Sequence, residues 1–358
     1  MADTADHLIL AVDGGGTSTQ MSVFSAVDLT TRPICQVSVG PTSHKSVGAA
    51  EARRCMQEGF IRLAGNGFLP DAFEIAVFGL SGLDTPKDEG PYRTMISWAT
   101  KPLQRQLKRT VIISDALLPL FAENHRYGVA LIGGTGSIAL ALEPNGRLHR
   151  VGGWGYNVSD EGSGQWIGLE ALRLILRTYD AFGQEFAQSV NGPGRRRQSA
   201  EQAAWTDVSA LTADVLRQAG VGSVDELAIW CSDMTSPAAA ASLARSVIHS
   251  NSTAATKIVH RAAKSLAALG ISALLRIEPR YRSDSPIILS GGLFGNEMLR
   301  KTTVSEIQDR FEGSARVLVS GHDPAYGAAV LGARILEGET EPPMFPSSMK
   351  ARRRRSQV

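Results

Sequence analysis

One pattern occurs twice in this sequence: an apolar segment runs into a turn of glycines and threonine, and a second segment leaves that turn. The first copy spans residues 8–26 around the letters DGGGT, and the second spans residues 129–142 around GGTGS. Apolar or alternating segments on both sides of a glycine turn predict two strands joined by a tight hairpin. A chain that carries this hairpin in both halves is expected to have arisen by duplication of one domain.

The elements after each hairpin have the same predicted order. Hydrophobic periodicity predicts a strand, a helix, a strand, a helix and a strand after the first hairpin, at residues 34–39, 46–63, 73–80, 92–107 and 110–114. It predicts the same series after the second hairpin, at residues 148–151, 166–177, 286–289, 296–311 and 316–319. A last helix is predicted at 326–336, and residues 178–282 are interpreted as a mostly helical insertion. The sequence therefore predicts an α/β fold of two βββαβαβ lobes that face each other across one cleft.

The glycine turns differ from the two commonest phosphate-binding loops. A dinucleotide-binding fingerprint would need glycine at position 19, where this chain has Thr19, and the Gly-Lys-Ser/Thr of a Walker A loop occurs nowhere in the sequence. Both of those loops also lead into a helix, whereas these turns lead into a strand. The remaining interpretation is a hairpin whose backbone N–H groups and Thr17 hydroxyl hold phosphate oxygens, with Asp13 placed to hold a cation through water.

A third glycine-rich segment, residues 151–168, reads VGGWGYNVSDEGSGQWIG. Six of its residues are glycine, and Asp160 and Glu161 stand among them just before an apolar run of helical period. Glycine leaves room where side chains would obstruct a bound molecule, so this composition is typical of a ligand-holding loop. The alternative is a connection that needs positive φ angles and carries an acidic helix cap.

The length and composition favour two domains over one. The chain has 358 residues, of which 43% are hydrophobic and 20% charged, which is enough to bury a sizeable core. No apolar run approaches the length of about 18 residues that a membrane span needs, and the run at residues 8–12 is too short for a signal peptide. We therefore expect a cytoplasmic protein with no membrane partner.

The net charge of +2 is concentrated at the end of the chain. Five of the 37 basic residues lie there, namely Lys350 and the four arginines at 352–355. The other 32 are outnumbered by the 35 Asp and Glu residues, so the rest of the chain is slightly acidic. The arginines at 195–197 and the tail at 341–358 are interpreted as solvated segments, and the tail as disordered. No nucleic-acid partner is expected.

Five segments together resemble the motifs of one protein family, the N-acetylglucosamine kinase branch of the BadF/BadG/BcrA/BcrD ATPase family, in the sugar kinase, heat-shock cognate and actin superfamily. They are DGGGTST at residues 13–19, GGTGS at 133–137, GGWGYNVSDEGSGQWIG at 152–168, Ser290-Gly291-Gly292 with Leu293, and the helix at 324–334. The resemblance covers the chain to about residue 338. It implies two duplicated ribonuclease-H-like (actin-like ATPase) lobes with nucleotide in the cleft between them.

The resemblance also implies how the chain is divided. An N-terminal lobe is expected at residues 1–122 and a C-terminal lobe at 123–322. A closing helix at 323–340 is expected to pack back on the N-terminal lobe, and a disordered basic tail is expected at 341–358. The first lobe would carry the first phosphate loop and the catalytic carboxylate. The second would carry the second phosphate loop, the loop at 152–168 and the adenosine-contacting turn.

Individual residues take implied roles from the same resemblance. Asp115 matches the catalytic carboxylate, which takes the proton from a sugar hydroxyl as that hydroxyl attacks the γ-phosphorus of ATP. The residues that match nucleotide contacts are Gly14, Gly15, Gly16, Thr17, Gly134, Thr135, Gly136, Gly291 and Gly292. The residues that match the sugar site are Ser43, Gly136, Ser137, Gly153, Trp154, Gly155 and Asp160. Two alternatives stay open: Asp115 as the N-cap of a helix at 116–122, and Trp154 as a core residue.

The chain departs from the family pattern in two places near the sugar site. Residues 41–44 read Pro-Thr-Ser-His where the family has asparagine, so Ser43 stands at the expected sugar contact and His44 either contacts substrate or is solvated. Ser159 precedes Asp160 where the family usually has glycine. Both departures bear on which hexose is accepted.

The implied activity is phosphorylation of an amino sugar with ATP and Mg²⁺, most directly N-acetylglucosamine to its 6-phosphate, by a chain that can form a homodimer. Glucosamine and other hexosamines are alternative substrates. A regulatory ATPase of the reductase-activator type would hold an iron–sulfur cluster on cysteines, and Cys35, Cys55 and Cys231 have neither the compact spacing of such a cluster nor that of a disulfide framework. A sugar-sensing regulator would usually add a DNA-binding helical segment, and none is expected in the seven residues before Leu8.

Overall fold

Two five-stranded mixed sheets form the centres of the two lobes. The computed structural model describes residues 7–190 and 200–349, so the arginines at 195–197 and the tail at 350–358 lie outside the described residues. The N-terminal sheet contains β1 (Leu8–Gly14), β2 (Thr19–Ser25), β3 (Cys35–Val39), β4 (Phe73–Leu80) and β5 (Thr110–Ser114). The C-terminal sheet contains β6 (Gly128–Gly133), β7 (Ser137–Leu142), β8 (Leu148–Gly152), β9 (Ile287–Ser290) and β10 (Val317–Val319).

The two sheets have the same topology. The strand order is β3-β2-β1-β4-β5 in the first and β8-β7-β6-β9-β10 in the second. In each, the first three strands pair antiparallel, the fourth pairs parallel to the first, and the fifth pairs parallel to the fourth. The duplicated two-lobe α/β fold predicted from the sequence is confirmed.

Helices cover both faces of these sheets. The N-terminal lobe contains α1 (His44–Gly65), α2 (Pro86–Thr100) and α3 (Leu118–Ala122). The C-terminal lobe contains α4 (Gly164–Val190), α5 (Ala200–Ala219), α6 (Val224–Ser232), α7 (Pro237–His249), α8 (Thr253–Arg276), α9 (Pro279–Arg282) and α10 (Glu297–Arg310), and α11 (Pro324–Leu336) follows. In β1, Ile9 and Ala11 join one apolar cluster while Leu10 and Val12 join another. The strand therefore reads as a continuous apolar run because it is buried on both faces.

The last helix, α11, packs on the sheet of the first lobe. It contacts β1 and β4, and a Cβ on Gly332 would lie 2.9 Å from a methyl group of Ile9. The same apolar cluster contains Ile9 and Ile75 from the first lobe and Leu140 and Ile288 from the second. The lobes are thus joined by a shared core beneath α11.

Gly327 is expected to be essential to this junction. Its Cβ would lie 2.1 Å from the carbonyl oxygen of Leu118, and a backbone atom cannot move aside as a side chain can. Gly327→Ala should therefore lower the free energy of unfolding by about 1–3 kcal/mol, measured by urea and thermal unfolding. Gly65→Ala is the control, because a Cβ on Gly65, at the exposed end of α1, would meet open space. A neutral or stabilising effect of Gly327→Ala, as expected for alanine in an open helix, would contradict the close approach of α11 to the Leu118 carbonyl in α3.

Two helices differ from the sequence prediction. The structure begins α2 at Pro86, not at residue 92, because Thr85 and Asp88 form a capping box with proline in the first turn. The helix ends at Thr100, and a short 3₁₀ turn with Pro102 replaces its predicted last residues. The helix predicted at 166–177 extends from Gly164 to Val190, with a non-helical φ at Gly183.

The bounds of the helical insertion differ from the prediction. The helix that covers β6, β7 and β8 before β9 is α8, which is the counterpart of α1. The inserted elements are therefore α4 to α7, which pack mainly on one another, and not residues 178–282. Among the described residues, α8 is the one helix long and apolar enough to span a membrane by length and composition, and half of that stretch is buried in the lobe. Its apolar character fits its position on the sheet.

Part of the segment predicted as a disordered tail is in contact with the first lobe. Glu341 pairs with Arg109 at 2.8 Å, and Met344 and Phe345 pack against the apolar cluster between the N-terminal sheet and α1. The prediction of disorder is wrong for residues 341–349, because these apolar side chains find a partner surface. Residues 350–358 lie outside the described part of the chain.

Candidate active site

The two glycine hairpins end with exposed threonines. In the first, the N–H of Gly15 donates to the carbonyl of Ser18 at 2.9 Å, and Thr17 is exposed. In the second, the N–H of Gly134 donates to the carbonyl of Gly136 at 3.0 Å, and Thr135 is exposed. A Cβ on Gly134 would meet open space, so this glycine leaves the hairpin surface clear rather than serving the packing. Both turns can present N–H groups and a hydroxyl to phosphate oxygens.

Asp13 lies at the end of β1, directly before the first turn. Burial, together with the nearby charge of Asp323, raises the pKa of this carboxyl to about 6. Asp323 caps α11 by accepting from the N–H of Ala325, and its other oxygen accepts from the Gln20 amide at 2.8 Å. We did not identify Asp323 from the sequence, although Asp-Pro before an apolar run is typical of a helix N-terminus.

The donor set at Asp13 and Asp323 fits a hard divalent cation. Two carboxylates that repel each other in a partly buried place are stabilised when a cation neutralises them. No group of three or more His, Cys, Asp or Glu side chains forms a metal cage among the described residues. Mg²⁺ commonly uses one or two carboxylates together with water and substrate phosphates, which is the arrangement available at these two residues.

Asp115 follows β5 and is partly buried. Its Oδ1 accepts from the N–H of the next residue, Ala116, at 2.8 Å. Burial raises the pKa of this carboxyl to about 7, and the charge of Asp13 adds to the rise. The N-cap of the short turn Asp115–Leu117 is Ser114, and that of α3 is Leu117, so Asp115 does not act as the predicted helix cap. The carboxyl is therefore available to exchange a proton near neutral pH.

The loop between β8 and α4 presents Trp154 to solvent. This side chain is 57% exposed, which excludes the alternative of a core residue. Gly152 and Gly153 have φ angles of 70° and 65°, a region that L side chains rarely adopt, so the loop requires glycine at these positions. Asp160 also has a positive φ of 70° but is only 8% exposed.

The same loop is bonded to the second hairpin. A Cβ on Gly136 would lie 3.1 Å from Oδ2 of Asp160, so the predicted sugar residue and the predicted phosphate residue are neighbours. The Ser137 hydroxyl donates to the carbonyl of Glu161 at 2.9 Å, and the N–H of Gly164 donates to the carbonyl of Gly134 at 2.8 Å. Burial raises the pKa of Asp160, while the backbone N–H of Ser137 opposes the rise.

Three predicted site residues have mainly structural surroundings. Ser137 is 3% exposed and its hydroxyl is used within the loop, and Ser43 is 1% exposed, beside the Tyr92 hydroxyl. Sugar contacts by either residue stay predictions, since this conformation covers them. Gly291 has a φ of 103°, and a Cβ there would lie 2.4 Å from the carbonyl oxygen of Gly133, so only glycine fits. A Cβ on Gly292 would meet open space.

His44 is not a freely solvated side chain. Its ring packs edge-on against Tyr92 with 4.7 Å between centroids, and burial lowers its pKa. Its Nδ1 is buried with no hydrogen-bond partner among the described residues. The solvated alternative for His44 is wrong, and contact with substrate stays a prediction.

Two further charged residues were missed by sequence reasoning. Arg150 in β8 is 7% exposed, and its guanidinium pairs with Asp84 of the first lobe at 2.7 Å. Asp84 also accepts from Lys45 at 2.8 Å. An arginine inside an otherwise apolar strand is the sequence feature that could have indicated Arg150. Its partner could not be identified without the fold.

A large cavity of the protein lies away from these residues. It has a volume of about 1130 Å³ beside α11, with Glu123, Arg316 and Arg334 among its lining residues. Asp13, Asp115, Trp154 and Asp160 do not line it. The candidate site instead comprises the two hairpins, Asp115 and the Trp154 loop.

The chain is similar in sequence to proteins of one known family. A model of the BadF/BadG/BcrA/BcrD ATPase family matches residues 10–332. An N-acetylmuramic acid/N-acetylglucosamine kinase of Clostridium acetobutylicum is 30% identical over 181 residues, and an N-acetyl-D-glucosamine kinase of Dictyostelium discoideum is 32% identical over 187 residues. Each match covers 49% of this chain and 56% of the relative, so the chain spans about half the length of the curated relatives it matches.

A solved structure has the same fold. It is that of a candidate N-acetylglucosamine kinase from Chromobacterium violaceum, with a TM-score of 0.64 and 22% sequence identity. The match covers 91% of this chain and 99% of that one. It therefore extends over both lobes.

Proposed function

The chain belongs to the BadF/BadG/BcrA/BcrD ATPase family, and from this premise we propose that it transfers the γ-phosphoryl group of ATP to an amino sugar, with N-acetylglucosamine as substrate and its 6-hydroxyl as acceptor. One observation carries the proposal: Arg150, in the strand that leads into the Trp154 loop, pairs at 2.7 Å with Asp84 of the first lobe, and the charge of Asp84 raises the pKa of both Asp115 and Asp160. The carboxylate suited to proton transfer and the loop suited to sugar binding therefore lie in one region, although they belong to different lobes. The named activities of the two relatives support this choice of substrate class.

The two hairpins are the proposed binding site for the ATP phosphates. Their backbone N–H groups, with the exposed hydroxyls of Thr17 and Thr135, supply donors from opposite lobes. The turn at Gly291 and Gly292, which follows β9, is the proposed contact for adenosine. Mg²⁺ would be held at Asp13, with Asp323 beside it, and when bound it supplies positive charge to the phosphate oxygens.

The amino sugar is proposed to bind between the Trp154 loop and the end of β5. The exposed indole offers an apolar face to a pyranose ring, and the Asp160 carboxylate accepts hydrogen bonds from sugar hydroxyls. The acceptor hydroxyl would lie against Asp115. This placement brings a base with a pKa near neutrality to the sugar.

In the proposed reaction Asp115 acts as the general base. The sugar oxygen forms a bond to the γ-phosphorus, the bond from that phosphorus to the bridging oxygen of ADP breaks, and the hydroxyl proton passes to the Asp115 carboxylate. A base with a pKa near the working pH is efficient, and such a base contributes about 10²- to 10⁴-fold to the rate. Alignment and charge neutralisation supply most of the remainder.

Coupled measurement of ADP release with a panel of hexoses and amino sugars tests this function. We expect release that depends on an amino sugar, fastest with N-acetylglucosamine, and a 6-phosphate product identified by NMR and mass spectrometry. Release that is the same with and without any sugar would instead support a regulatory ATPase. Glucosamine, N-acetylmannosamine and N-acetylmuramic acid belong in the panel.

Asp160→Asn should weaken sugar binding and leave nucleotide binding unchanged. Asparagine tolerates the positive φ at this position, so the loop should keep its conformation while the charged acceptor is lost. We expect the KM for the sugar to rise about 10-fold or more and the Kd for ATP to stay within about 3-fold. Isothermal titration with ATP and steady-state kinetics measure the two quantities. Glu161→Gln, which changes the exposed neighbouring carboxylate, is the control. A large loss of ATP affinity in Asp160→Asn would show that Asp160 belongs to the nucleotide site and not to the sugar site.

A further inference from the structure

Arg150 is a nearly buried charge at the boundary between the lobes. It lies in β8, at the edge of the C-terminal sheet, and pairs with Asp84, which lies between β4 and α2 of the other lobe. A buried guanidinium is strongly unfavourable unless its N–H groups are paired. Its location is therefore fixed by its partners, and those partners belong to both lobes.

The remaining groups of Arg150 hold the beginning of the sugar loop. Its Nε donates to the carbonyl of Gly152 at 3.1 Å, and its Nη2 donates to the carbonyl of Gly153. Its guanidinium carbon lies 4.9 Å from the centre of the Trp154 ring, in a cation–π arrangement. One planar group thus fixes both carbonyls of the glycine turn and the ring that follows.

Asp84 is itself anchored within the first lobe. Its Oδ2 accepts from Lys45 at 2.8 Å, and Lys45 also pairs with Asp88 at 3.0 Å. Asp88 accepts from the N–H of Thr85 at 2.7 Å in the capping box of α2. The contacts therefore run from the start of α2 through Asp84 and Arg150 to Trp154.

We propose that Arg150 is a positioning residue for the amino-sugar site: it fixes Trp154 and the Gly152–Gly153 turn and joins them to the first lobe through Asp84. The inference rests on the proposed function, since it assigns Trp154 to the sugar. Arg150 does not bind the sugar itself. It sets where the indole stands relative to the lobe that carries Asp115.

Kinetics on Arg150→Met and Arg150→Lys test this role. Arg150→Met should raise the KM for the sugar about 10-fold or more, with the KM for ATP within about 3-fold, because a small misplacement of a binding group is costly. Arg150→Lys keeps a charge for Asp84 but has no planar fork, so its KM should fall between those of wild type and Arg150→Met. Arg147→Met is the matched control, because this exposed arginine pairs with Glu278 of its own lobe.

Combining Arg150→Met with Asp84→Asn tests the connection between the lobes. If the two residues act as one unit, the double variant should have a sugar KM within about 3-fold of that of Arg150→Met alone. If the two effects multiply, the connection through Asp84 is wrong. An unchanged sugar KM in Arg150→Met, with only a lower Tm, would overturn the positioning role and leave a structural one.

Fluorescence quenching separates this inference from the proposed function. The signal of Trp154 is obtained in each background as the difference between the protein and its Trp154→Phe form, because four other tryptophans are present. Without substrate, Arg150→Met should raise acrylamide quenching of Trp154, and Arg147→Met should not. If this holds but no amino sugar is phosphorylated, the proposed function fails and the positioning of Trp154 stands. If amino sugars are phosphorylated while quenching and KM are unchanged, the positioning inference fails.

Discussion

Asp115→Asn is expected to lower kcat by about 10²-fold or more, with the sugar KM changed far less. Asparagine keeps the shape of the side chain and can accept the same hydrogen bond from the N–H of Ala116, but it cannot take the proton of a hydroxyl. Steady-state kinetics on one purified variant measure the effect. A kcat within a few-fold of wild type would remove Asp115 from the mechanism.

The same substitution should not destabilise the protein. Because burial raises the pKa of Asp115 to about 7 from 3.8, the folded state binds its proton more tightly than the unfolded state does. The stability that this proton contributes is present below about pH 4 and is lost as the pH rises through about 7. At pH 8 the ionised carboxylate is unfavourable, so Asp115→Asn should have a Tm equal to or above that of wild type. Thermal unfolding of both proteins should show that the Tm of Asp115→Asn minus that of wild type grows from pH 5 to pH 8.

The rate should show the same titration. Since the base must be ionised, kcat/KM for the sugar should rise with pH, and this acidic limb of the profile should have its midpoint near pH 7. The charge of Asp13 contributes to the pKa of Asp115, so this limb belongs to the interacting pair and not to one residue. A limb near pH 4, the ordinary range of an aspartate, would contradict the role of burial at Asp115.

Removal of divalent cations is expected to abolish phosphoryl transfer. Backbone donors in two hairpins cannot alone neutralise a triphosphate, and Asp13 and Asp323 are carboxylates beside the first turn. Asp13→Asn should therefore raise the free Mg²⁺ concentration needed for half-maximal rate by about 10-fold or more. Initial rates over a Mg²⁺ series, with a chelator arm, measure both effects.

A matched variant makes the cation test specific. Asp28→Asn removes an exposed carboxylate from the loop after β2 and should leave the Mg²⁺ dependence unchanged. Undiminished turnover in excess chelator would overturn the cleft arrangement. An Asp13→Asn enzyme with the wild-type Mg²⁺ dependence would show that the cation is held elsewhere.

The fold was predictable where local patterns and packing coincide. Strands β1 and β6 follow from apolar runs that are largely buried and lead into glycine turns, as residues 8–12 do within β1. The helical insertion was placed wrongly because α4 and α8 are both apolar helices, and chain order does not show which one covers the sheet. The predicted helix at 92–107 missed the start of α2, since α2 contains Pro91, and a proline inside a helix is unfavourable and gives no helix signal.

The glycine-rich loops of the candidate site could be predicted from the sequence, whereas most of the contacts of its charged residues could not. Spacing alone indicated both hairpins and the Trp154 loop, but it could not show that Ser43 and Ser137 are buried. Asp84 and Arg150 are 66 positions apart in sequence, and Gln20 and Asp323 are 303 apart. Such pairs become neighbours only when two lobes assemble, so no local pattern contains them.

The return of α11 to the first lobe has a consequence for protein synthesis. The apolar face of β1 and β4 that α11 covers, with Ile75 and Val77, is made early, whereas α11 begins only at Pro324. While the ribosome is still translating the C-terminal lobe, that face lacks the cover of α11 and offers a surface for chaperones or for aggregation. The first lobe is thus completed only after the C-terminal lobe has been translated, although its strands precede that lobe in the sequence.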